Sequence, residues 1–500
     1  MHARARQLES LTTRVFDALI IGGGITGAGI ARDAAMRGLS VALIDKGDFA
    51  SGTSSRSSRL IHGGVRYLEH GHLHLVFEAS AERRRLLRLA PHLVQPLAFT
   101  WPIYEGQRLP VWKLAAGLTL YDLLAMFRNV ARHRRLSPAQ VLQFEPRLES
   151  QRLRGGVHYF DAATNDARLA LTNVLDAQAR GAVVANHVAL TGVAPTVDGV
   201  RVARVSDALT GTHMEVRAHW FVNATGPWSD AVREIESGAT TAHVQGSKGA
   251  HVAVPRERLD NRDAVTLLHP RDGRVMFVLP AREHAIIGTT DTFTSVSPDS
   301  VRANESDVAY LLDAANTAFP AARLKRDDII SAWAGIRPLM PTTGSSVAAT
   351  REHAIQRGEG TITITGGKLT TYRLMARELV DVLEVALGRK HTRARTDVEP
   401  LPDSAADALP VTSGAPAVQV GLPYRMDDLR RGVEEELACT LGDLLIRRTR
   451  VAFETRDNGR AAAHRIVDFV APLLGWSAGQ RDREVERYDA EVTRIFTIDP

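Results

Sequence analysis

The sequence predicts an α/β protein in three parts: a Rossmann-like dinucleotide-binding domain, a substrate domain on a mixed or antiparallel sheet, and a C-terminal helical domain. Three observations lead there. A short apolar run, Phe16–Ile21, passes through Gly22-Gly23-Gly24 into a helical pattern and then a second apolar run, a β–α–β unit of about 30 residues. Closely spaced strand-like runs fill the middle of the chain. Only helical periodicity remains from residue 426 onward.

The elements follow in order. A helix is predicted from Ile25 to Arg37 with Gly38 at its C-cap, then a strand over Ser40–Ile44 that ends at Asp45. Residues 46–66 are rich in Gly, Ser and Arg and lack periodicity, so they read as a long functional loop. Leu73–Leu89 spaces its apolar residues at i, i+3 and i+4 and stops before Pro91. The stretch 97–135 is mixed; it holds an apolar helical segment, 111–127, and ends in Arg132-His133-Arg134-Arg135. Beyond it come a helix over Asp166–Arg180 closed by Gly181, and strands at 182–190, 200–205 and 214–223, with the turn Asp198-Gly199. Further strands are expected at 250–254, 264–268, 274–279 and 284–288. Thr361–Thr365 alternates as a strand, Gly366-Gly367 breaks it, and Leu369–Leu387 is helical. Residues 390–425, with many Pro, Asp and Ala, read as a linker, and helices are expected at 427–447, 459–473 and 478–496. The division is a core over 1–400 and a helical domain over 401–500. Within the core, dinucleotide-binding segments lie near 15–70, 153–240 and 330–388, and substrate or cap segments near 71–152 and 241–329.

Composition bounds the function. The chain has 500 residues, and 62 Lys and Arg against 57 Asp and Glu leave a net charge of +5. With 44% hydrophobic and 24% charged residues it is globular, which excludes a disordered chain, a fibre or a disulfide-stapled miniprotein. The single cysteine, Cys439, forbids an intramolecular disulfide and a cysteine metal cluster, and points to a reducing compartment. It is expected to pack as a small apolar residue in a helix. No signal peptide is expected, because no apolar stretch follows the basic first residues. The most apolar stretch, Leu109–Val130, is interrupted by Lys113, Asp122 and Arg128, so it is not read as a membrane span. The charge makes no case for nucleic acid and suits weak attraction to an anionic membrane.

Gly22-x-Gly24-x-x-Gly27 is a dinucleotide fingerprint in full context: it follows a strand, opens a helix, and has Asp45 at the end of the next strand. The first glycine permits the turn, the second lets backbone N–H groups approach a pyrophosphate, and the third lets helix and strand pack closely. Asp45 is placed to accept hydrogen bonds from ribose. The fingerprint does not separate FAD from NAD. A second strand-to-turn passage near Gly226, and the glycines at 366–367, suit an extended FAD touched by distant segments.

The loop Arg56–Tyr67 holds three arginines, a histidine and a glycine pair. Arg66 and Tyr67 suit an anion, and His62 suits a general base. A solvated basic loop is the other reading of the same residues. Arg274, Arg337, Arg351 and Lys368 are separate cations whose convergence periodicity cannot reveal; taken singly, each reads as a surface charge. His70, His72 and His74 alternate, but they lack acidic or thiol partners and read as a solvated helix start. The runs Arg83–Arg85, Arg132–Arg135 and Arg447–Arg450 read as solvated faces or ion pairs, with a basic collar beside 111–127 as the membrane alternative.

These residues resemble a known family. Ile20–Arg32 (IIGGGITGAGIAR), Thr53–Glu69 (TSSRSSRLIHGGVRYLE), Asn223–Trp228 (NATGPW), Lys248–Pro255 (KGAHVAVP), Ile287–Asp291 (IGTTD), Ala334–Pro338 (AGIRP) and Gly366–Arg373 (GGKLTTYR) are similar, in order, to the FAD-dependent, quinone-linked glycerol-3-phosphate dehydrogenases. Glu434–Arg450 resembles that family's helical domain. The resemblance implies FAD as cofactor, oxidation of sn-glycerol 3-phosphate to dihydroxyacetone phosphate, and electron transfer to membrane quinone. It further implies a cytoplasmic enzyme held peripherally on the inner face of the cell membrane, in a family where homodimers are known. By residue match, Gly22, Gly24, Gly27 and Asp45 bind the pyrophosphate and adenosine side. Thr53, Ser54, Ser58, Gly226, Gly367, Lys368 and Leu369 line the flavin. His62, Arg66, Tyr67, Arg274, Arg337, Lys368 and, on a looser match, Arg351 face the substrate. His62 is the expected base, Arg337 part of the phosphate clamp, and Lys368 the charge beside the flavin. An arginine-activated water is the rival base.

Two departures stand out. Asp45 replaces the family's usual Glu, and Ala250 replaces Ser, which removes a hydroxyl expected near the site. Rival functions are a glycerol-3-phosphate oxidase that uses oxygen, a related amine-oxidising flavoenzyme, and a flavin-binding sensor or scaffold without turnover.

Overall fold

The computed structural model describes residues 3–64, 73–107, 110–124, 130–238, 242–340, 352–403 and 414–500. Two sheets organise them. In the first, Val15–Ile21 lies between Val41–Ile44 and His213–Asn223 and runs parallel to both. Val183–Ala185 extends the parallel set on one side and Thr361–Gly366 on the other. His353–Arg357 and the hairpin Val188–Val197/Val200–Asp207 add antiparallel pairs. The central strands are apolar at nearly every position because both faces are covered. Helices Ile25–Met36, Asp166–Ala179 and Tyr372–Ala386 cover one face, with Ile20, Ala31, Val174 and Leu379 in one cluster. Helix Ala3–Thr13 and the hairpin cover the other, around Leu11, Phe16, Leu19 and Val205.

The second sheet is mixed. Gln245–Pro255 is its hub, with Ser331–Leu339 on one edge and His284–Gly288 and Thr292–Phe293 on the other. Val275–Ala281 and Ala264–Leu268 follow, all antiparallel. Ala264–Leu268 then joins Val94–Tyr104 in parallel, and Val94–Tyr104 pairs antiparallel with Leu153–Thr164. Leu60–Ile61 closes that edge. Leu153–Thr164 and Ser331–Leu339 fall inside segments assigned from sequence to the dinucleotide-binding part, yet they hydrogen-bond in this sheet. Val94–Tyr104 has no strand signal because Pro96 and Pro102 interrupt it and its apolar residues do not alternate.

Three expectations need correction. The run 182–190 is two strands, because His187 takes a left-handed φ of 56° and turns the chain between them. The expected helix over 427–447 is interrupted. Helix Met426–Glu434 ends, Leu437 adopts φ 58°, and a wide helical turn resumes over Asp443–Arg448. The break is held by tertiary bonds: Asp443 accepts the Cys439 and Thr440 N–H groups at 2.8 and 3.1 Å, and Arg448 Nη2 donates to the Glu436 carbonyl at 2.7 Å. Cys439 therefore lies outside any helix; its thiol donates to the Leu437 carbonyl, and burial raises its pKa. The segment 390–425 has no helix or strand among its described residues, but it is docked: the Leu401 N–H donates to the Leu89 carbonyl at 2.8 Å.

The helices Arg460–Leu474 and Ala478–Phe496 pack on the second sheet. Phe453 meets Trp333 edge-on at 5.1 Å and Phe496 at 4.9 Å. No helix among the described residues is long and apolar enough to cross a membrane.

Candidate active site

The carboxyl end of the first sheet opens into a cavity of about 960 Å³ that the second sheet and the last helix also wall. That volume suits an extended dinucleotide, being near the top of the ~300–1,000 Å³ usual for ligand sites. Gly22, Gly24, Asp45, Thr53, Ser54, Ser58, His62, Gly226, Arg274, Arg337, Gly367, Lys368 and Leu369 all border it. Gly27 lies behind it, and a Cβ there would come within 1.9 Å of the Gly22 carbonyl, so the turn closes only on glycine. Arg66, Tyr67 and Arg351 lie outside the described residues, as do His70 and His72. His74 is exposed at the start of helix Leu73–Leu89.

Each loop side chain has a mechanical task. Asp45 accepts the N–H groups of Gly23 at 2.7 Å and Gly47 at 2.9 Å, which braces the glycine turn. Burial pushes its pKa up to about 6 against the pull of those two donors. Each oxygen retains a lone pair for a ribose hydroxyl. Ser54 Oγ accepts the Ile25 N–H at 2.9 Å, at the N-terminus of the helix that follows the turn. Thr53 donates to the Ile336 carbonyl at 2.7 Å, and Ser58 meets His251 Nε2 at 2.8 Å; both span to the second sheet. The His62 N–H donates to Thr370 Oγ1 at 3.1 Å, tying the histidine loop to the Gly366–Thr370 turn.

On the facing sheet the arginines share one anchor. Arg337 approaches Asp291 Oδ1 at 3.4 Å and donates to Thr289 Oγ1 at 3.0 Å, while Arg274 Nη1 donates to the Asp291 carbonyl at 2.9 Å. Ser247 also donates to Asp291. Gly249 makes room, since a Cβ there would lie 2.4 Å from Arg337 Nη2. Two cations are thus held side by side on the cavity wall, a geometry that suits a phosphate.

Sequence reasoning missed Asp291 and His251. Both sit in quoted motifs, IGTTD and KGAH, but the motifs alone assign them no role. Burial, then Arg337 and Arg59, depress the His251 pKa to about 3, so the ring is neutral at pH 7. It stacks on Trp333 at 5.5 Å. The expected effect of Ala250 is corrected. Strand alternation sends Gly249 and His251 to the cavity, while Ala250 packs with Val252 and Ile336 on the opposite face. No hydroxyl is missing from the cavity.

The last of the charge runs also resolves. Arg447 and Arg448 are buried, both bonded to Asp48 at 2.6 Å, with Asp443 and Glu491 completing the network. They are interior ion pairs, neither a solvated face nor a membrane collar. Asp48, His187 and Asp443 could geometrically hold a metal, but the two guanidiniums occupy that carboxylate cluster.

A glycine turn at a helix N-terminus, an acid at the end of the next strand that braces that turn, a hydroxyl-rich loop and a late Gly-Lys turn around one long cavity define an FAD-dependent oxidoreductase. The comparisons agree. Residues 17–382 match the FAD dependent oxidoreductase family, and 401–481 match the C-terminal domain of alpha-glycerophosphate oxidase. A glycerol-3-phosphate dehydrogenase of Mycobacterium leprae is 37% identical, covering 98% of this chain and 90% of its own. A mitochondrial glycerol-3-phosphate dehydrogenase of Bos taurus is 36% identical, covering 96% and 74%. The FAD-complexed glycerol-3-phosphate dehydrogenase structure from Bacillus halodurans superposes with a TM-score of 0.78 at 29% identity, over 98% of this chain and 97% of that one. The chain belongs to the glycerol-3-phosphate dehydrogenase family, and FAD is its cofactor.

Proposed function

We propose that this enzyme oxidises sn-glycerol 3-phosphate to dihydroxyacetone phosphate and delivers the electrons to membrane quinone. The observation that carries the substrate is the pair Arg274 and Arg337, both fixed on Asp291 in the wall of the cofactor cavity. Their charges hold the substrate phosphate, and that remote binding energy orients the C2 alcohol. His62, on the same cavity, takes the C2 hydroxyl proton. The neutral His251, linked to Ser58, is too weak a base for that step and serves as a hydrogen-bonding wall. Lys368 supplies positive charge at the flavin end. FAD, when bound, supplies the hydride acceptor at N5 and the route for electrons to quinone.

The test is the visible spectrum of the purified holoenzyme. Anaerobic glycerol 3-phosphate bleaches the oxidised flavin bands, and a quinone analogue restores them. A spectrum unmoved by substrate refutes the reading; rapid recovery in air with peroxide release identifies an oxidase instead.

Membrane contact is supported by a patch on two touching helices, Leu73–Leu89 and Val111–Leu124. Trp112 is 65% exposed and Phe77 46%, with Leu73 and Leu120 also exposed. Arg132, Arg134 and Arg135 are exposed next to it in the chain. Aromatic anchors beside cations suit an anionic interface. The protein is expected to sediment with anionic liposomes at low salt, and Trp112→Ala to weaken this; no sedimentation rejects the contact.

A further inference from the structure

Arg56 stands on the cofactor cavity and no step above uses it. It is 5% exposed and borders the cavity. Its guanidinium donates to one protein group, the Ser51 carbonyl at 3.2 Å, and forms no ion pair among the described residues. The nearest acids are committed elsewhere. Glu491 binds Arg447 at 2.8 Å, and Asp299 binds Lys46 at 2.7 and 3.0 Å and the Trp228 indole N–H at 3.1 Å. Burial, and then the positive charges of Arg494 from the last helix and of Arg447, lower the Arg56 pKa to about 10. A buried guanidinium with most donors unused is costly unless an anion meets it.

The position selects the anion. Ser51 follows Ala50, whose N–H donates to the Gly23 carbonyl at 3.0 Å, so the Arg56 anchor lies against the glycine turn. The phosphate-clamp arginines gather instead on Asp291, on the other sheet.

We propose that Arg56 is an anion-binding residue of the cofactor cavity and that its anion is the FAD pyrophosphate. The helix N-terminus then neutralises one side of the pyrophosphate and Arg56 the other. The C-terminal helices contribute by committing Glu491 to Arg447, which keeps that carboxylate from quenching Arg56.

The experiment compares Arg56→Gln and Arg56→Lys holoenzymes with the parent. FAD dissociation constants are read from flavin fluorescence on dilution, and the glycerol 3-phosphate KM is measured at saturating FAD. Loss of one charged hydrogen-bonding partner predicts FAD binding weakened about 10–100-fold in Arg56→Gln. Lys is expected to restore part of it, with KM within about twofold of the parent in both. Unchanged FAD affinity in Arg56→Gln overturns the proposal, as does a Lys variant no better than Gln. A raised KM with unchanged FAD affinity also overturns it and assigns Arg56 to the substrate phosphate. Cofactor affinity is the primary readout, so the outcome does not depend on which electron acceptor the enzyme uses.

Discussion

Replacing Arg337 with Ala probes the clamp directly. The Arg337 side chain is 23% exposed, its open part toward the cavity, while Thr289, Thr290 and Asp291 hold the remainder. Truncation removes one charged donor fork from the substrate phosphate. A hydrogen bond to a charged group is worth about 1.5–3 kcal/mol, so KM should rise roughly 10–150-fold. Asp291 keeps its Ser247 bond and the Arg274 contact through its carbonyl, so the second arginine stays in place. FAD content and kcat should therefore move little, because the clamp binds ground and transition states alike. A second consequence concerns His251. Arg337 is the largest charge depressing its pKa, so that pKa should rise in the variant, while burial still keeps the ring neutral at pH 7. The assay is steady-state kinetics with a quinone analogue, together with anaerobic flavin reduction across substrate concentrations. If the concentration for half-maximal reduction is unaltered, the phosphate assignment is wrong.

Three further outcomes are expected. His62→Ala should lower kcat/KM by about 10²–10⁴-fold at unchanged FAD affinity, and stopped-flow flavin reduction as fast as in the parent excludes it as the base. Asp48→Asn should destabilise the fold by about 3–5 kcal/mol, since it strips a buried carboxylate from Arg447 and Arg448; an unmoved denaturant midpoint counts against that network. The His187 pKa is raised despite its burial, because Asp443 and Asp48 face it. A raised folded-state value means its stabilisation is full below the ordinary histidine pKa of about 6.5 and fades as pH climbs through the folded value. The His187→Gln variant should lose this alkaline decline in melting temperature, and a decline identical to the parent's removes His187 as its source.

Much of the local architecture was legible because it is encoded locally. The glycine turn needs only its own three glycines and the flanking strand and helix. Leu73–Leu89, Ala264–Leu268 and His284–Gly288 have the residue bounds that their apolar patterns suggest. Val94–Tyr104 and Leu153–Thr164 of the second sheet escaped detection because their proline and glycine residues blur alternation, and pairing with each other across about 60 positions compensates.

The sequence by itself determined the dinucleotide fold, the motif set that marks the family, and which residue types were candidates for the chemistry. Tertiary structure alone decided the charges. Arg447 and Arg448 read equally as a solvated face or as ion pairs until Asp48, about 400 positions earlier, meets them in the interior. Arg274 and Arg337 are separate cations until Asp291 gathers them, and Ala250 faces the site or turns from it only once the strand's register is set. The reason is physical: an arginine costs little in water and much in a dry core without a partner. Which of the two it meets depends on contacts hundreds of residues apart that no local pattern contains.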